Sequence, residues 1–523
     1  MPVTGAILPG AMQDFPLTLD RFLTHAGKWH PAAGVVTAAP DGTVQRIGYA
    51  QLEARARAIS ATLLAHGIGV GDHVATLAWN SQAHVETWYA IMGIGAACHT
   101  LNPRLTAAQL ADMLGQSRAR IVVASADLIP LAQAVAALLD TPPMLLSIDG
   151  AAGDPLDTLV EPGACAEWGG FDERTPSGLC FTSGTTGRPK GVTYTHRGCF
   201  LHTLRSLQAD VMAIAAADRV LAAVPMFHAN AWGLPFAVPA VGATLVLPGR
   251  STDGASLARL IAAEGVTIAV GVPTVWLGLV EHLDQTGGEV PSLTRIIVGG
   301  APMPPALMER IERRLGVTVQ TSWGMTELSP AGTFAPLGQA DRPAGSSGRP
   351  AIGIDLLLTD ADGTALPDQR GGEGHLRVRG AAVVERYFGQ AEPATDADGW
   401  FATGDLARID RDGDLFITGR AKDLIKSGGE WINPAEIEGV VGALPEVSMA
   451  AVIGRSDVKW GERPILVVEL RDGQDIRDDA LLASLRGRVA PWWIPDEVVR
   501  LPAMPLAATG KIDKLRLRAE HGQ

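Results

Sequence analysis

The sequence has four cysteines, Cys98, Cys165, Cys180 and Cys199, and no two of them show C-x-x-C spacing. That absence argues against a zinc ribbon or a dithiol redox pair, and so sparse a set fits a reducing compartment. Basic charge is also short. Lys and Arg number 43 against 56 Asp and Glu, and the resulting net charge of −13 argues against a nucleic-acid surface. No Lys or Arg precedes Arg21, and the short apolar groups before it are broken by Asp14 and prolines, so no secretory signal is expected. Long hydrophobic runs are missing too. The most apolar stretch, 220–247, is cut by Pro225, His228, Asn230, Pro235 and Pro239, which predicts strand, loop and helix around a pocket and no membrane span. Neither a Walker A loop nor Gly-x-Ser-x-Gly occurs, which disfavours P-loop and hydrolase chemistry.

What remains is a large, loop-rich globular chain. Its 523 residues exceed what one hydrophobic core holds, so at least two domains are expected. The composition is 47% hydrophobic and 19% charged, with 60 Gly and 35 Pro, which is too apolar for a disordered chain. Helical periodicity over 50–68, 83–96 and from Thr106 alternates with short apolar runs at His73–Ala78, Cys98–Leu101 and Arg120–Ala124. The alternation continues from 191 to 330, with helices expected at Arg197–Ala209, Ser256–Glu264 and Pro304–Leu315. This is the pattern of α/β layers with covered sheets. From 350 to 420 short strands and dense turns, such as Asp362-Gly363 and Asp412-Gly413, predict an antiparallel subdomain. Mixed character returns after Arg420, with helices expected at Pro434–Leu444 and near Asp479–Arg488, enough for a small α+β domain.

The chemistry concentrates in five stretches. The first is Thr182-Ser183-Gly184-Thr185-Thr186-Gly187-Arg188-Pro189-Lys190-Gly191, between two extended runs. Its glycines permit a tight path with N–H groups turned toward one anion, while hydroxyls and an ammonium add donors suited to polyphosphate. The second is Thr321-Ser322-Trp323-Gly324-Met325-Thr326-Glu327, in which a carboxylate beside a hydroxyl suits Mg²⁺ near phosphate and an indole suits a purine. The third, Gly399-Trp400-Phe401-Ala402-Thr403-Gly404-Asp405, offers an acceptor for a ribose diol. The fourth runs from Gly419-Arg420-Ala421-Lys422-Asp423 to Ser427-Gly428-Gly429-Glu430, and the fifth is Ala508-Thr509-Gly510-Lys511-Ile512-Asp513. Taken singly, most of these have bland readings: a loop Trp packs, a loop Glu is solvated, and a Gly-Asp pair is a plain turn.

Together and in this order, over about residues 45–518, they resemble the adenylate-forming superfamily of acyl-CoA synthetases, firefly luciferase and peptide-synthetase adenylation domains. The resemblance implies a large N-terminal domain, 1–420, of layered α/β subdomains with a β-rich subdomain. A small mobile α+β C-terminal domain, 421–523, would follow. It implies that a substrate carboxylate attacks the α-phosphorus of MgATP and that a thiol, usually of coenzyme A, then displaces AMP from the acyl-adenylate. The 182–191 loop would hold the β- and γ-phosphates. Thr185 and Glu327 match Mg²⁺-associated positions, and Thr326 a phosphate-binding hydroxyl. Gly300, Ala301, Pro302 and Trp323 would border adenine, a position where the family often has Tyr in place of this Trp. Asp405 and Arg420 match the ribose ligands, Lys511 the lysine of the adenylation step, Lys422 the hinge, and Gly428 and Gly429 a loop neighbouring pantetheine. Pro225-Met226-Phe227-His228-Ala229-Asn230-Ala231-Trp232-Gly233 is similar to the segment of medium- and long-chain fatty acyl-CoA synthetases whose Trp gates an acyl tunnel. His228 would line the acyl and thiol channel, with Trp232 and Gly324 bordering the acyl group. Ser427-Gly428-Gly429-Glu430-Trp431-Ile432 points to the same group. The expected acid is a medium-chain fatty acid, with aryl and short thioether acids as alternatives. A luciferase-like oxygenase and a carrier-loading adenylation enzyme are the rival classes. A cytoplasmic homodimer is the expected setting.

Overall fold

The computed structural model describes residues 12–39, 41–149, 163–182, 189–339, 342–428, 430–507 and 511–522. Its first sheet has six strands, in the order Met144–Ser147, Ile121–Ala124, His73–Leu77, Ala97–Thr100, Pro176–Phe181 and Gly191–Thr195. All neighbours are parallel except the last pair, whose antiparallel register sets Phe181 opposite Gly191. Strands covered on both faces need no polar side, and Ile121-Val122-Val123-Ala124 is buried at every position. The helices between them are made locally. Ala107–Ser117, for example, opens with a capping box in which Thr106 accepts from Gln109 N and the Gln109 side chain returns the contact.

The second sheet has nine strands, with Thr318–Gly324, Arg295–Val298, Ile268–Gly271, Arg219–Ala222, Thr244–Leu247 and Gly34–Ala38 as its parallel interior. Ala331–Phe334 and Arg349–Pro350 extend one edge and Val44–Gly48 the other, all antiparallel. The antiparallel subdomain is a four-stranded sheet, Ile354–Thr359, Glu373–Gly380, Phe401–Ile409 and Leu415–Arg420. A further sheet follows, built from Ile425–Ser427, Glu430–Ile432, Val447–Asp457, Gly461–Leu470 and Val498–Arg500. It has apolar clusters of its own, one around Ile437, Val452 and Leu466 and another around Ile453 and Leu517. The architecture is thus α/β, with a large N-terminal domain and a small C-terminal one.

Most helices lie within a few residues of their expected bounds, at Tyr49–Ala65, Gln82–Gly93, His196–Ser206 and Pro305–Leu315. Two differ. The sequence reading assigns no element to 273–286, where a helix packs Trp276, Leu279, Val280 and Leu283 into the core beside the nine-stranded sheet. The helix expected near Asp479–Arg488 is only Asp478–Ala483, and the chain turns away through Gly487, whose φ is +73°. No described helix is long and apolar enough to cross a membrane.

Candidate active site

Strand register assembles the first part of the site. Asp405 and Arg420 face each other across Phe401–Ile409 and Leu415–Arg420, and Arg420 Nε lies 2.7 Å from Asp405 Oδ1. Trp323, at the end of Thr318–Gly324, donates from Nε1 to Asp405 Oδ2 at 3.1 Å and so ties the nine-stranded sheet to the four-stranded one. That indole is buried, with Gly332 leaving room for its ring: a Cβ there would stand 2.8 Å from Trp323 Cε3. Asp405 is only 2% exposed, and burial raises its pKa, an effect opposed first by Arg420 and then by Trp323. Gly300, Ala301 and Pro302 leave the strand Arg295–Val298 beside this point. The left-handed φ of Gly300, +77°, turns the chain there.

Glu327 sits in a 3₁₀ turn, Thr326–Leu328, one short step beyond Trp323 and Gly324. The turn is anchored from the first sheet, because Tyr194 donates its hydroxyl to Thr326 O at 2.9 Å. Glu327 Oε1 accepts from the Tyr387 hydroxyl at 2.9 Å, and Lys190 Nζ stands 4.7 Å from the centre of the Tyr387 ring. Burial pushes the Glu327 carboxyl up, and no counter-charge is close enough to reverse that. Thr182 N bonds Lys190 O at 2.9 Å and joins the two strands on either side of the Gly-rich stretch. Ser183, Gly184, Thr185, Thr186 and Gly187 lie outside the described residues, as does Gly429.

The Phe227–Gly233 segment forms the next wall. Asn80 fixes its start by donating from Nδ2 to Ala222 O and Val224 O, at 3.0 and 2.7 Å, and accepting from Met226 N at 2.7 Å. Ala229, Asn230, Ala231 and Trp232 then all take left-handed φ angles between 44° and 55°. L-residues pay roughly 1–2 kcal/mol each for that conformation, so this wall stores strain. It ends with the Trp232 indole against the Gly299-Gly300 turn, where a Cβ on Gly299 would meet Trp232 Cη2 at 3.0 Å. His228, partly buried, has a pKa lowered to about 4, first by burial and then by Lys511. It is therefore a neutral imidazole at physiological pH.

Lys511 is what closes the arrangement. It comes from the small domain, yet its ammonium feels Arg420, Asp405, Lys422 and Glu327 as well as His228. The residue is exposed, and loss of hydration around its ammonium lowers its pKa. Arg420 thus pairs with Asp405, the charges of Lys511 and Lys422 are felt at Asp405, and those of Arg420, Lys190 and Lys511 couple to Glu327. The balance suits a polyanion. Among the described residues no group of three or more His, Cys, Asp or Glu could hold a metal ion.

Lys422 lies in a 3₁₀ turn, Ala421–Asp423, between the sheets of the two domains, and burial lowers its pKa. Asp423 next to it pairs with Arg518 at 3.3 Å. Gly428 has φ +61°, bonds Trp460 O through its N–H at 2.8 Å, and lies so close under the Trp460 ring that a Cβ would stand 2.5 Å from it. The sequence reading missed Tyr387, one of only four tyrosines, and the Trp323–Asp405 bond. The rarity of tyrosine was the one available signal, because neither contact follows a spacing.

Comparison with known proteins decides the family. The model described as AMP-binding enzyme matches residues 23–388, and the one for the AMP-binding enzyme C-terminal domain matches 436–511. The chain belongs to the AMP-binding enzyme family. Among its members, a 3-methylmercaptopropionyl-CoA ligase of Ruegeria lacuscaerulensis is 40% identical over 530 residues, 98% of each chain. A medium-chain-fatty-acid–CoA ligase of Ectopseudomonas oleovorans is 39% identical over 539 residues, covering 98% of this chain and 97% of that one. Of solved structures in the family, the anthranilate CoA ligase AuaEII in complex with anthranoyl-AMP superposes with a TM-score of 0.88 at 25% identity. That match covers 97% of this chain and 99% of the other. ATP-bound MatB from Rhodopseudomonas palustris gives 0.86 at 27% identity, with the same coverage.

Proposed function

We propose that this AMP-binding enzyme is an acyl-CoA synthetase that activates a free aliphatic carboxylic acid with ATP and transfers the acyl group to coenzyme A. A medium-chain fatty acid or a short thioether acid is the expected substrate. The convergence of Lys511 from the small domain with Asp405, Arg420, Glu327 and His228 of the large one carries the reading. That arrangement fits the first half-reaction. A carboxylate oxygen of the acid attacks the α-phosphorus, the bond to pyrophosphate breaks, and Lys511 offsets the negative charge gathering on the pentavalent phosphorus. Asp405 would accept from a ribose diol on oxygens that Arg420 and Trp323 already hold in position. Neutral His228 and the Trp232 indole border the entering acid. In the second half-reaction the thiol sulfur attacks the acyl carbon and AMP leaves.

The donor set fits Mg²⁺ in a particular way. With no three-ligand cluster among the described residues, the ion would be held by one carboxylate, Glu327, and by the substrate's own phosphates, as is usual for this metal. Glu327 is buried, Arg420 and Lys190 are the cations that act on it, and Tyr387 holds one of its oxygens in place. Bound there, Mg²⁺ would neutralise phosphate charge. Cytoplasmic residence and a homodimer belong to the same proposal. The test is a panel of acids assayed for AMP and acyl-CoA, with and without CoA. The reading requires acyl-CoA in amounts equal to AMP for at least one aliphatic acid. AMP release that ignores CoA would favour a carrier-loading or oxygenase activity.

A further inference from the structure

The strand Leu415–Arg420 is the edge of the four-stranded sheet, and its register passes over one residue. Arg420 faces Asp405 and Gly419 faces Leu406, but the next pair is Ile417 with Ala407, so Thr418 is left over. A bulge on an edge strand leaves backbone groups that must find partners outside the sheet. The Thr418 carbonyl finds its partner in the other domain, where Asn433 donates to it from Nδ2 at 2.7 Å. Asn433 is 6% exposed. The two ends of this bond lie on either side of Lys422, four positions before it and eleven after.

Gly419 makes room for the contact. It has no left-handed φ to explain it, yet a Cβ there would stand 2.6 Å from Asn433 Oδ1 and 3.2 Å from Cγ and Nδ2. The Asn433 side chain seated over it accounts for the glycine. From Asn433 the connection to Lys511 is short. Asn433 caps the helix Pro434–Gly442, its Oδ1 accepting from Ala435 N at 3.2 Å. Glu438 in that helix pairs with Lys514 Nζ at 2.7 Å, and Lys514 opens the helix Lys514–His521 three positions after Lys511. Fixing Asn433 against Thr418 thus fixes the helix, and through Glu438 the Lys511 segment, relative to Arg420.

We propose that Asn433 is a positioning residue for adenylation. Its bond to the bulge carbonyl of Thr418, admitted by Gly419, docks the small domain where Lys511 reaches the α-phosphate, and the bond breaks for the thioester step. The inference rests on the acyl-CoA synthetase reading, with Lys511 acting in the first half-reaction and the small domain turning about Lys422. One neutral hydrogen bond shifts an equilibrium by about three- to tenfold. That is enough to favour the docked state and too little to lock it, as a contact made and broken in each turnover requires.

The experiment measures pyrophosphate release from acid and ATP, and thioester formation from pre-made acyl-AMP and CoA. It uses the full-length protein, an aliphatic acid that wild type turns over, and the variants Asn433→Ser, Gly419→Ala and the two combined. Serine keeps a capping oxygen but is too short to hold Thr418 O, whereas Gly419→Ala leaves Asn433 in place and wedges it away. Each single variant should slow adenylation about three- to tenfold and leave thioester formation within about twofold of wild type, or faster. The double variant should be no slower than the slower single one, because both changes act on one contact and Ser leaves space for the added methyl. Equal losses in both half-reactions would mean that Asn433 only caps its helix and would overturn the inference. Unchanged adenylation in both single variants, or losses that simply multiply in the double, would overturn it too. If Gly419→Ala does not fold, the split between half-reactions in Asn433→Ser decides. A wild-type protein that forms no acyl-adenylate with any acid overturns the synthetase reading, and this inference with it.

Discussion

The two domains contribute to the site by different means. In the large domain, Asp405, Arg420 and Trp323 are set by strand register and mutual bonds of 2.7 and 3.1 Å, and Glu327 is clamped by Tyr387. In the small domain, Lys511 arrives across an interface with few polar contacts among the described residues. Asn433 donates from Nδ2 to Thr418 O at 2.7 Å, and Arg471 meets Glu281 at 3.6 Å with both side chains more than one-third exposed. Exposed pairs of that kind contribute at most about 1 kcal/mol. The same interface includes a like-charge approach, Glu373 toward Glu436, which adds to burial in raising the Glu436 pKa. The large domain is preorganised, and the lysine is delivered. In the proposed mechanism Lys511 is needed for only one of two steps, which suits a group carried on a part that could leave.

The largest expected effect removes the delivered group. Lys511→Ala should lower acyl-adenylate formation by roughly 10²–10³, as for loss of one preorganised donor. Thioester formation from pre-made acyl-AMP should change far less, and an equal loss in both half-reactions would break the distinction between delivered and fixed groups. The lowered lysine pKa adds a pH signature. A lysine is cationic below its pKa, so wild-type adenylation should fall with rising pH before the ordinary lysine range near 10.5 is reached. A profile that stays flat beyond it would argue that Lys511 is not the group. Glu327→Gln comes next, since an amide supplies no charge to a metal. The Mg²⁺ concentration for half-maximal adenylation should rise several-fold with the fold intact, measured by circular dichroism alongside activity. Unchanged metal dependence would remove Glu327 from the phosphate site. Smallest should be Trp232→Ala, which should shift the chain-length profile with little change in ATP affinity. A stability loss of about 3–5 kcal/mol with an unaltered profile would mean that the indole is packing.

The motif-bearing runs that the structure brings together were legible because each is a short consecutive stretch. Asp405 and Arg420 lie fifteen positions apart, but both stand in recognisable runs, and a hairpin register unites them. Helices with strong periodicity or caps, such as Ala107–Ser117, were legible for the same local reason. What escaped is what only tertiary packing creates. Tyr387 reaches Glu327 over sixty positions, and Trp323 spends its N–H on Asp405 over eighty-two. Arg205 is unremarkable in sequence, because a lone Arg near a helix end reads as a solvated residue suited to the helix dipole. Only the fold shows that it is buried and that burial lowers its pKa. The left-handed turn at Ala229–Trp232 contains no glycine to announce it, and the segment leading into it is fixed by Asn80, some 150 residues earlier.

The central claim is that one mobile domain serves both half-reactions and that Lys422, in the turn between the domains, is where it swings. Proline fixes φ near −65° and would block that swing, and Lys422→Ala, which removes the same ammonium but leaves φ free, controls for the lost charge. The decisive measurement is pyrophosphate release and acyl-CoA formation on one preparation of Lys422→Pro. The account predicts that release on mixing with acid and ATP is retained while CoA thioester is lost. Thioester formation at the wild-type rate would contradict it.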